Sequence, residues 1–553
     1  MKLSRLRVVP WLLGTLVAAS GPACAEGFGL TADATYFTID TGGGLVFKIR
    51  RVDYGSNTQS PGDIASMVYQ GVQYQDAGRG SQVNSGFDYL FKDTSAVDVQ
   101  ASQVDADHIK VTVRAGDLVH YYLARRGEPR IYMATRFTRE PDTLNLARFI
   151  LRVPIGALPV GPEPSDIRGN SGAIESGDVF GMPDGQTRSK HYSNMRLKDW
   201  RYIGATGPNV GLWVVRDNNE GNSGGPFYRS LLNQGTDTNQ EITYIINYGE
   251  AQTEPFRPGI LNRYTLVFTG GDKPPTIDTN WLADMALEGY VGKAGRGRVL
   301  GTKVRGVDGK HDYTIGLSSA TAQYWTDLRE DGSFEATGVL PGDYTLTVFK
   351  NELAVDRRSV TVRAGDTTKV AAFKVTGDPA SRRAVWRIGD WDGSPAELLN
   401  GDRLTMMHPS DVRMSPWATP AYVVGTSKAK DFPACQWREV NGSLEVRFRL
   451  NSDQIAEHHL RLGITAAHAG GRPSVKINQW YAGVLAISSQ PSSRTLTVGT
   501  YRGNNTLYDV VVPASALVVG DNVLTLGVTS GSQGVGFLSP GFSYDAIDLV
   551  PAP

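Results

Sequence analysis

Two short polar segments, TRSKHYSN at 187–194 and NYGEAQTEPFR at 247–257, carry the residues of this 553-residue chain best suited to moving a proton, Lys190 and Glu250. An amine near a carboxylate, in a chain with paired arginines and many aromatics, suggests proton transfer on an anionic sugar. Lys190 is the candidate base, since partial desolvation or neighbouring cations let a lysine carry a free amine near neutrality. Exposed lysines holding their charge in water are the commoner case.

Arg148 and Arg152 flank Phe149-Ile150-Leu151 in a segment that alternates as a strand does. Their side chains should share one face, roughly 13 Å apart at ~3.3 Å per residue. Arginine matches a carboxylate in two-point geometry, so the pair reads as a clamp for uronates. An outward strand face with surface ion pairs is the plainer alternative for one of the two. Arg188 and Tyr244 are further candidate substrate contacts. In ITYIINYGE, alternation places Tyr244, Tyr248 and Glu250 on one face, and in SKHYSN it places Tyr192 beside Lys190 and turns His191 away. Tyr192 and Tyr248 are therefore reserve acids, although a tyrosine lining a sugar groove can serve purely as an apolar platform.

Strands must carry these residues. The chain holds 63 glycines and 29 prolines, and short alternating runs such as HIKVTVRAG, RIYMATRF and SLEVRFRL recur between turn signals, with almost no long amphipathic helix. The expected class is all-β. Composition breaks divide it into a catalytic β-sandwich over 26–285, a small fibronectin type III-like sandwich over 286–376 and a carbohydrate-binding-like jelly roll over 380–553. Residues 1–25 read as an export signal cleaved after Ala25: Lys2, Arg5 and Arg7 precede an apolar run that ends in Ala23-Cys24-Ala25. Lipid attachment at Cys24 takes second place, because Gly21-Pro22 does not supply the aliphatic residue such a site wants. The expected product is secreted or periplasmic, with no membrane span.

Removing Lys2, Arg5 and Arg7 lowers the basic count from 56 to 53 against 56 acidic residues, a net charge near −3, so no basic excess points to nucleic acid. Cys435 is then the sole cysteine, which excludes an intrachain disulfide. Asp390 and Asp392, with neighbouring carbonyls, are candidate ligands of a structural calcium ion, with solvated turn carboxylates as the alternative. His458 and His459 lack metal-ligand spacing to another histidine or cysteine.

An ordered set of segments runs along nearly the whole mature chain: GLVFKIRRVDYGSNTQSPGDIASMVYQGVQYQ, ARFILR, TRSKHYSN, GEAQTE, IGDWDGSPAELLNGDRLTMMHPSDVRM and GFSYDAIDLV. Together they resemble the rhamnogalacturonan lyases of polysaccharide lyase family 4. The resemblance implies β-elimination at the bond between rhamnose and galacturonate in rhamnogalacturonan I, with no cofactor required, by a protein expected to be monomeric. It implies that Lys190, in its TRSK context, is the base and that Arg148 and Arg152 are the arginine pair. The chain departs from the family at Glu250, where well-described fungal members carry a catalytic histidine. A glutamate, which ordinarily titrates at about 4.3, must be raised by burial before it can donate a proton. Glu250 is thus an acid or an orienting group, with a tyrosine or water as the alternative acid and a binding protein that has lost catalysis as the third reading. His408 in MHPSD belongs to the C-terminal signature and is expected to fix a loop rather than touch substrate.

Overall fold

The structure, a computed structural model, describes residues 27–53, 58–142, 146–193, 196–249, 252–493 and 495–552. Glu250 and residues 1–25, read from the sequence as an export signal, lie outside the described residues. Among those described, the regular elements are β-strands and short 3₁₀ turns, and no helix is long and apolar enough to cross a membrane. The protein is all-β, as alternation and turn chemistry predict.

The N-terminal region packs three antiparallel sheets around one core. A five-stranded meander runs from Phe28–Ala32 to Val72–Gln73. A seven-stranded sheet includes Tyr202–Gly207, Val210–Arg216, Leu261–Thr269 and Arg130–Phe137, paired in that order. The smaller four-stranded sheet has the order Leu231–Gly235, Asn239–Tyr248, Leu146–Pro154 and Gln82–Val83. Side-chain alternation explains the packing. Phe149, Leu151 and Val153 of the small sheet, and Ile203, Leu212 and Val214 of the large one, point into the same core. Arg148, Ile150 and Arg152 therefore lie on the opposite, outer face of the small sheet.

A second core, which includes Val299, Ile315, Phe334 and Leu346, belongs to the fibronectin type III-like sandwich, where Gly297–Gly301 pairs antiparallel with Phe334–Val339 and parallel with Thr367–Val370. A third, around Trp437, Leu462, Leu526 and Tyr544, lies between two five-stranded sheets of the jelly roll. Cys435 is free and buried there, its thiol pushed up to about 12 by burial.

The regions are tied by buried charge. Glu352 of the middle region accepts from Arg502 Nε and Nη2 at 2.6 and 2.8 Å and from Tyr501 Oη at 3.1 Å, and it lies 3.4 Å from Arg196 of the N-terminal region. One carboxylate thus joins all three.

Candidate functional site

Lys190 does not sit on a strand. It opens a 3₁₀ turn, Lys190–Ser193, that follows the two-residue strand Thr187–Arg188. Three residues per turn put positions two apart on different sides. The predicted sharing of a face by Lys190 and Tyr192 is therefore corrected. The Tyr192 ring packs on Val179 and Val498, its hydroxyl is buried, and burial pushes that hydroxyl far above its usual range. A proton donor for solvent-side chemistry needs neither property. His191 is buried too, and burial, then Arg229 and Lys190, hold it well below its ordinary value.

The turn is pinned from both ends. Ser193 Oγ donates to Asn233 O at 3.0 Å and accepts from Asn233 N at 3.0 Å, fastening the turn to the edge of the small sheet. At the other end Thr187 N and Oγ1 donate to Asp411 Oδ2 of the jelly roll at 2.7 and 2.8 Å. Burial alone would raise Asp411, but the bonds from Arg413 and Thr187 prevail and bring it down to about 2. His408 takes part in the same seam: Nε2 lies 3.1 Å from Glu175 Oε2, and its backbone N–H donates to Thr187 Oγ1. It fixes a loop, as expected.

Lys190 Nζ stands 2.8 Å from Asp178 Oδ1, with both side chains about three-tenths exposed. Asp178 closes a tight β-turn, its N–H donating to Glu175 O at 3.0 Å, in which Ser176 and Gly177 both have positive φ, 44° and 70°. The turn aims the carboxylate at the lysine. Sequence reasoning missed Asp178, and only the Ser-Gly turn signal beside it was there to be read.

Arg148 and Arg152 share the outer strand face as predicted, yet they differ. Arg148 is half-buried and its Nε has no hydrogen-bond partner. Burial lowers its pKa, with Tyr248, Glu241 and Asp178 pulling the other way. It thus shares an electrostatic neighbourhood with the carboxylate that holds Lys190. Arg152 is 4% exposed, donates from Nη1 to Gly80 O at 2.7 Å, and lies 3.7 Å from Glu241, opposite it in register. Burial, then Arg79, brings it to about 10. Arg79, exposed and 2.8 Å from Glu241, is a third cation on this face that sequence reasoning did not name.

The prediction that Tyr244 and Tyr248 share a face is also corrected. Ala147 pairs with Asn247 but Arg148 pairs with Ile245, leaving Ile246 as the extra residue of a bulge. One extra residue reverses every subsequent side chain. Tyr244 therefore lies in the core, fully buried, 4.6 Å from the Tyr264 ring, and cannot contact substrate. Tyr248 emerges on the outer face, half-buried against Leu146, Leu232 and Ile245. Arg188 is withdrawn as well: it is buried, ion-paired to Glu163 and bonded to Gln186 Oε1 at 3.1 Å. Beyond the undescribed Glu250, Glu254 accepts from Gly224 N and Arg257 Nη2 and anchors the segment to Ser318 of the middle region.

Asp390 is 2.6 Å from Lys310 Nζ, and Asp392 accepts from Asn351 Nδ2 at 2.6 Å and Ser394 N at 2.9 Å. Among the described residues no group of three or more acidic, histidine or cysteine side chains is arranged to hold a metal ion.

Lys190, Asp178, Arg148 and Tyr248 can bind a carboxylate and move protons beside it. The cavities of about 360 and 530 Å³ elsewhere in the molecule are lined by neither Lys190 nor either arginine of the pair.

A family model described as the N-terminal part of rhamnogalacturonan lyase B matches residues 28–289, and those for domains II and III of polysaccharide lyase family 4 match 295–370 and 384–549. Rhamnogalacturonate lyase A of Emericella nidulans is 38% identical over 526 residues, covering 94% of this chain and 96% of the relative. The protein of the same name from Aspergillus aculeatus is 35% identical over 538 residues, covering 97% and 98%. Among solved structures, a TPR-domain containing protein from Parabacteroides distasonis aligns with a TM-score of 0.28 and 10% identity over 44% of this chain and 49% of its own, too weak a likeness to carry an argument.

Proposed function

The chain belongs to polysaccharide lyase family 4, and from that premise we propose that it cleaves the rhamnose–galacturonate bond of rhamnogalacturonan I on the outer face of its small N-terminal sheet. It is an enzyme of the lyase class acting on polysaccharide. The observation that carries the site assignment is the Lys190–Asp178 pair at 2.8 Å, with the half-buried Arg148 within electrostatic reach of Asp178 and its Nε without a partner.

Elimination breaks the C5–H and C4–O bonds of the galacturonate and forms a C4=C5 double bond. Arg148 holds the uronate carboxylate and offsets the negative charge that builds there as the C5 proton leaves, its own partial burial strengthening the attraction. Lys190 takes the proton. To do so its amine must first give its own proton to water and part from the Asp178 carboxylate 2.8 Å away, whose negative charge favours the protonated lysine. Arg152, bonded in place to Gly80, keeps a positive charge along the strand for a neighbouring uronate. The departing C4 oxygen takes a proton from Glu250 or from Tyr248, the tyrosine that the bulge leaves on this face.

No step is assigned to a metal ion. Export through residues 1–25 and a monomeric state complete the proposal; intact mass of the secreted product and light scattering test them.

The direct assay is incubation with rhamnogalacturonan I while following the ultraviolet absorbance of the unsaturated uronate that only elimination creates. Absorbance rising with new chain ends is expected. New reducing ends without it would mean hydrolysis and sink the reading.

A further inference from the structure

The outer face of the seven-stranded sheet carries a second built surface. Its cleft, about 530 Å³, is lined by Trp200, Arg201, Tyr202 and Lys273. That volume lies within the roughly 300–1,000 Å³ range of small-ligand sites. The Trp200 and Tyr202 rings stack at 6.3 Å, and the Trp213 ring meets Tyr202 edge-on at 5.6 Å.

The sheet is cleared to seat that third ring. A Cβ at Gly204 would come 2.6 Å from Trp213 Cε3, and one at Gly211 would come 2.6 Å from Trp213 Nε1, so neither position accepts a side chain while the indole lies there. Trp213 Nε1 donates to Thr269 Oγ1 at 3.1 Å and to Asp272 O at 3.0 Å. The second bond ties the ring to the residue before Lys273, so the aromatic platform and a cation are positioned by one contact.

The charges on this face are unequal in their freedom. Asp199 is ion-paired with Arg196, Asp217 accepts from Thr265 Oγ1, and Arg216 is spent on Ser230 Oγ and two backbone carbonyls. Arg201 and Lys273 are exposed and form no ion pair among the described residues. Trp200 is 38% exposed and available as a stacking face.

We propose that this cleft is a second binding site for a uronate-bearing stretch of polysaccharide, with the aromatic faces stacking on pyranose rings and Arg201 and Lys273 pairing with carboxylates. The inference rests on the lyase reading for its choice of polymer. The cleft is lined by neither Lys190 nor the arginine pair, so it holds another part of the polymer and raises the local concentration of cleavable bonds.

The test is native gel retardation of the full-length protein in polygalacturonate, an acidic polymer without the rhamnose–galacturonate bond, and in neutral dextran. Retardation by the acidic polymer alone is expected, with Trp200→Ala and Arg201→Glu each weakening it about tenfold. Variants retarded like the parent, a parent not retarded at all, or equal retardation by dextran would each overturn the site. The second readout is turnover: kcat/KM on long rhamnogalacturonan I should fall several-fold in Arg201→Glu while that on a short oligosaccharide is unchanged. An equal fall on both would point to damaged catalysis and overturn the proposal. Failure of the lyase reading shows separately, as absence of ultraviolet product with retardation intact.

Discussion

The two outer faces of the N-terminal sandwich solve different problems with similar residues. On the small sheet the cations are partly desolvated and held beside carboxylates, Lys190 on Asp178 and Arg152 near Glu241. On the large sheet Arg201 and Lys273 stand in water next to tryptophan and tyrosine rings. Charge removed from water acts strongly over short distances and suits a transition state, whereas exposed charge beside aromatic faces suits reversible grip. The backs of the faces differ too, since the lysine turn is braced by the jelly roll through Thr187 and Asp411.

The sharpest way to break the contrast is Lys190→Ala, which should cost about 10²–10⁴-fold in kcat, the range typical of a positioned base. Circular dichroism should show the fold unchanged, because the side chain is partly exposed and makes one ion pair. Activity surviving at the parent level would remove the small sheet from the chemistry. Next in size is the divergence of the two arginines. Arg148→Ala should lower kcat about 10²–10³-fold with little change in Tm. Arg152→Ala should instead lower stability by about 1–3 kcal/mol, since it leaves Gly80 O and Glu241 facing an emptied buried site; thermal unfolding distinguishes the two.

Asp411→Ala tests the bracing. It strands two Thr187 donors, so Tm should fall and kcat should drop about tenfold while substrate affinity on the large sheet is unaffected. Asp411 has a folded value of about 2, below its ordinary 3.8, so its contribution is fully present above about 3.8 and is lost as pH falls through 2. The parent should therefore lose more stability than the variant over that window in acid titration. The smallest effect concerns Asp390 and Asp392: a chelator should leave Tm and rate unchanged, because Lys310 and Asn351 already engage these carboxylates. A drop of several degrees would show that a cation occupies that corner.

Much of this was legible in the chain. Alternation around Phe149 placed Arg148 and Arg152 on one face, and the TRSK and MHPSD segments marked the turn that carries Lys190 and its brace. Other positions were not, for local reasons. Arg188 reads as a free cation but spends its charge on Glu163, a residue brought to it by tertiary packing. Tyr192 follows Lys190 by two, and an extended or a 3₁₀ backbone fits the same letters with opposite consequences. Asp178 lies twelve positions from Lys190, and nothing in the spacing brings them together.

By itself the sequence determined the all-β class, the residue types that can move a proton beside a uronate, and the strand that carries the arginines, because these follow from side-chain chemistry and a period of two. The tertiary structure decided which tyrosine faces outward, which arginine is free and what holds the lysine. A single unpaired residue, Ile246, turns Tyr244 inward and Tyr248 outward, and the pairing register that creates it exists only between strands nearly a hundred residues apart in the chain.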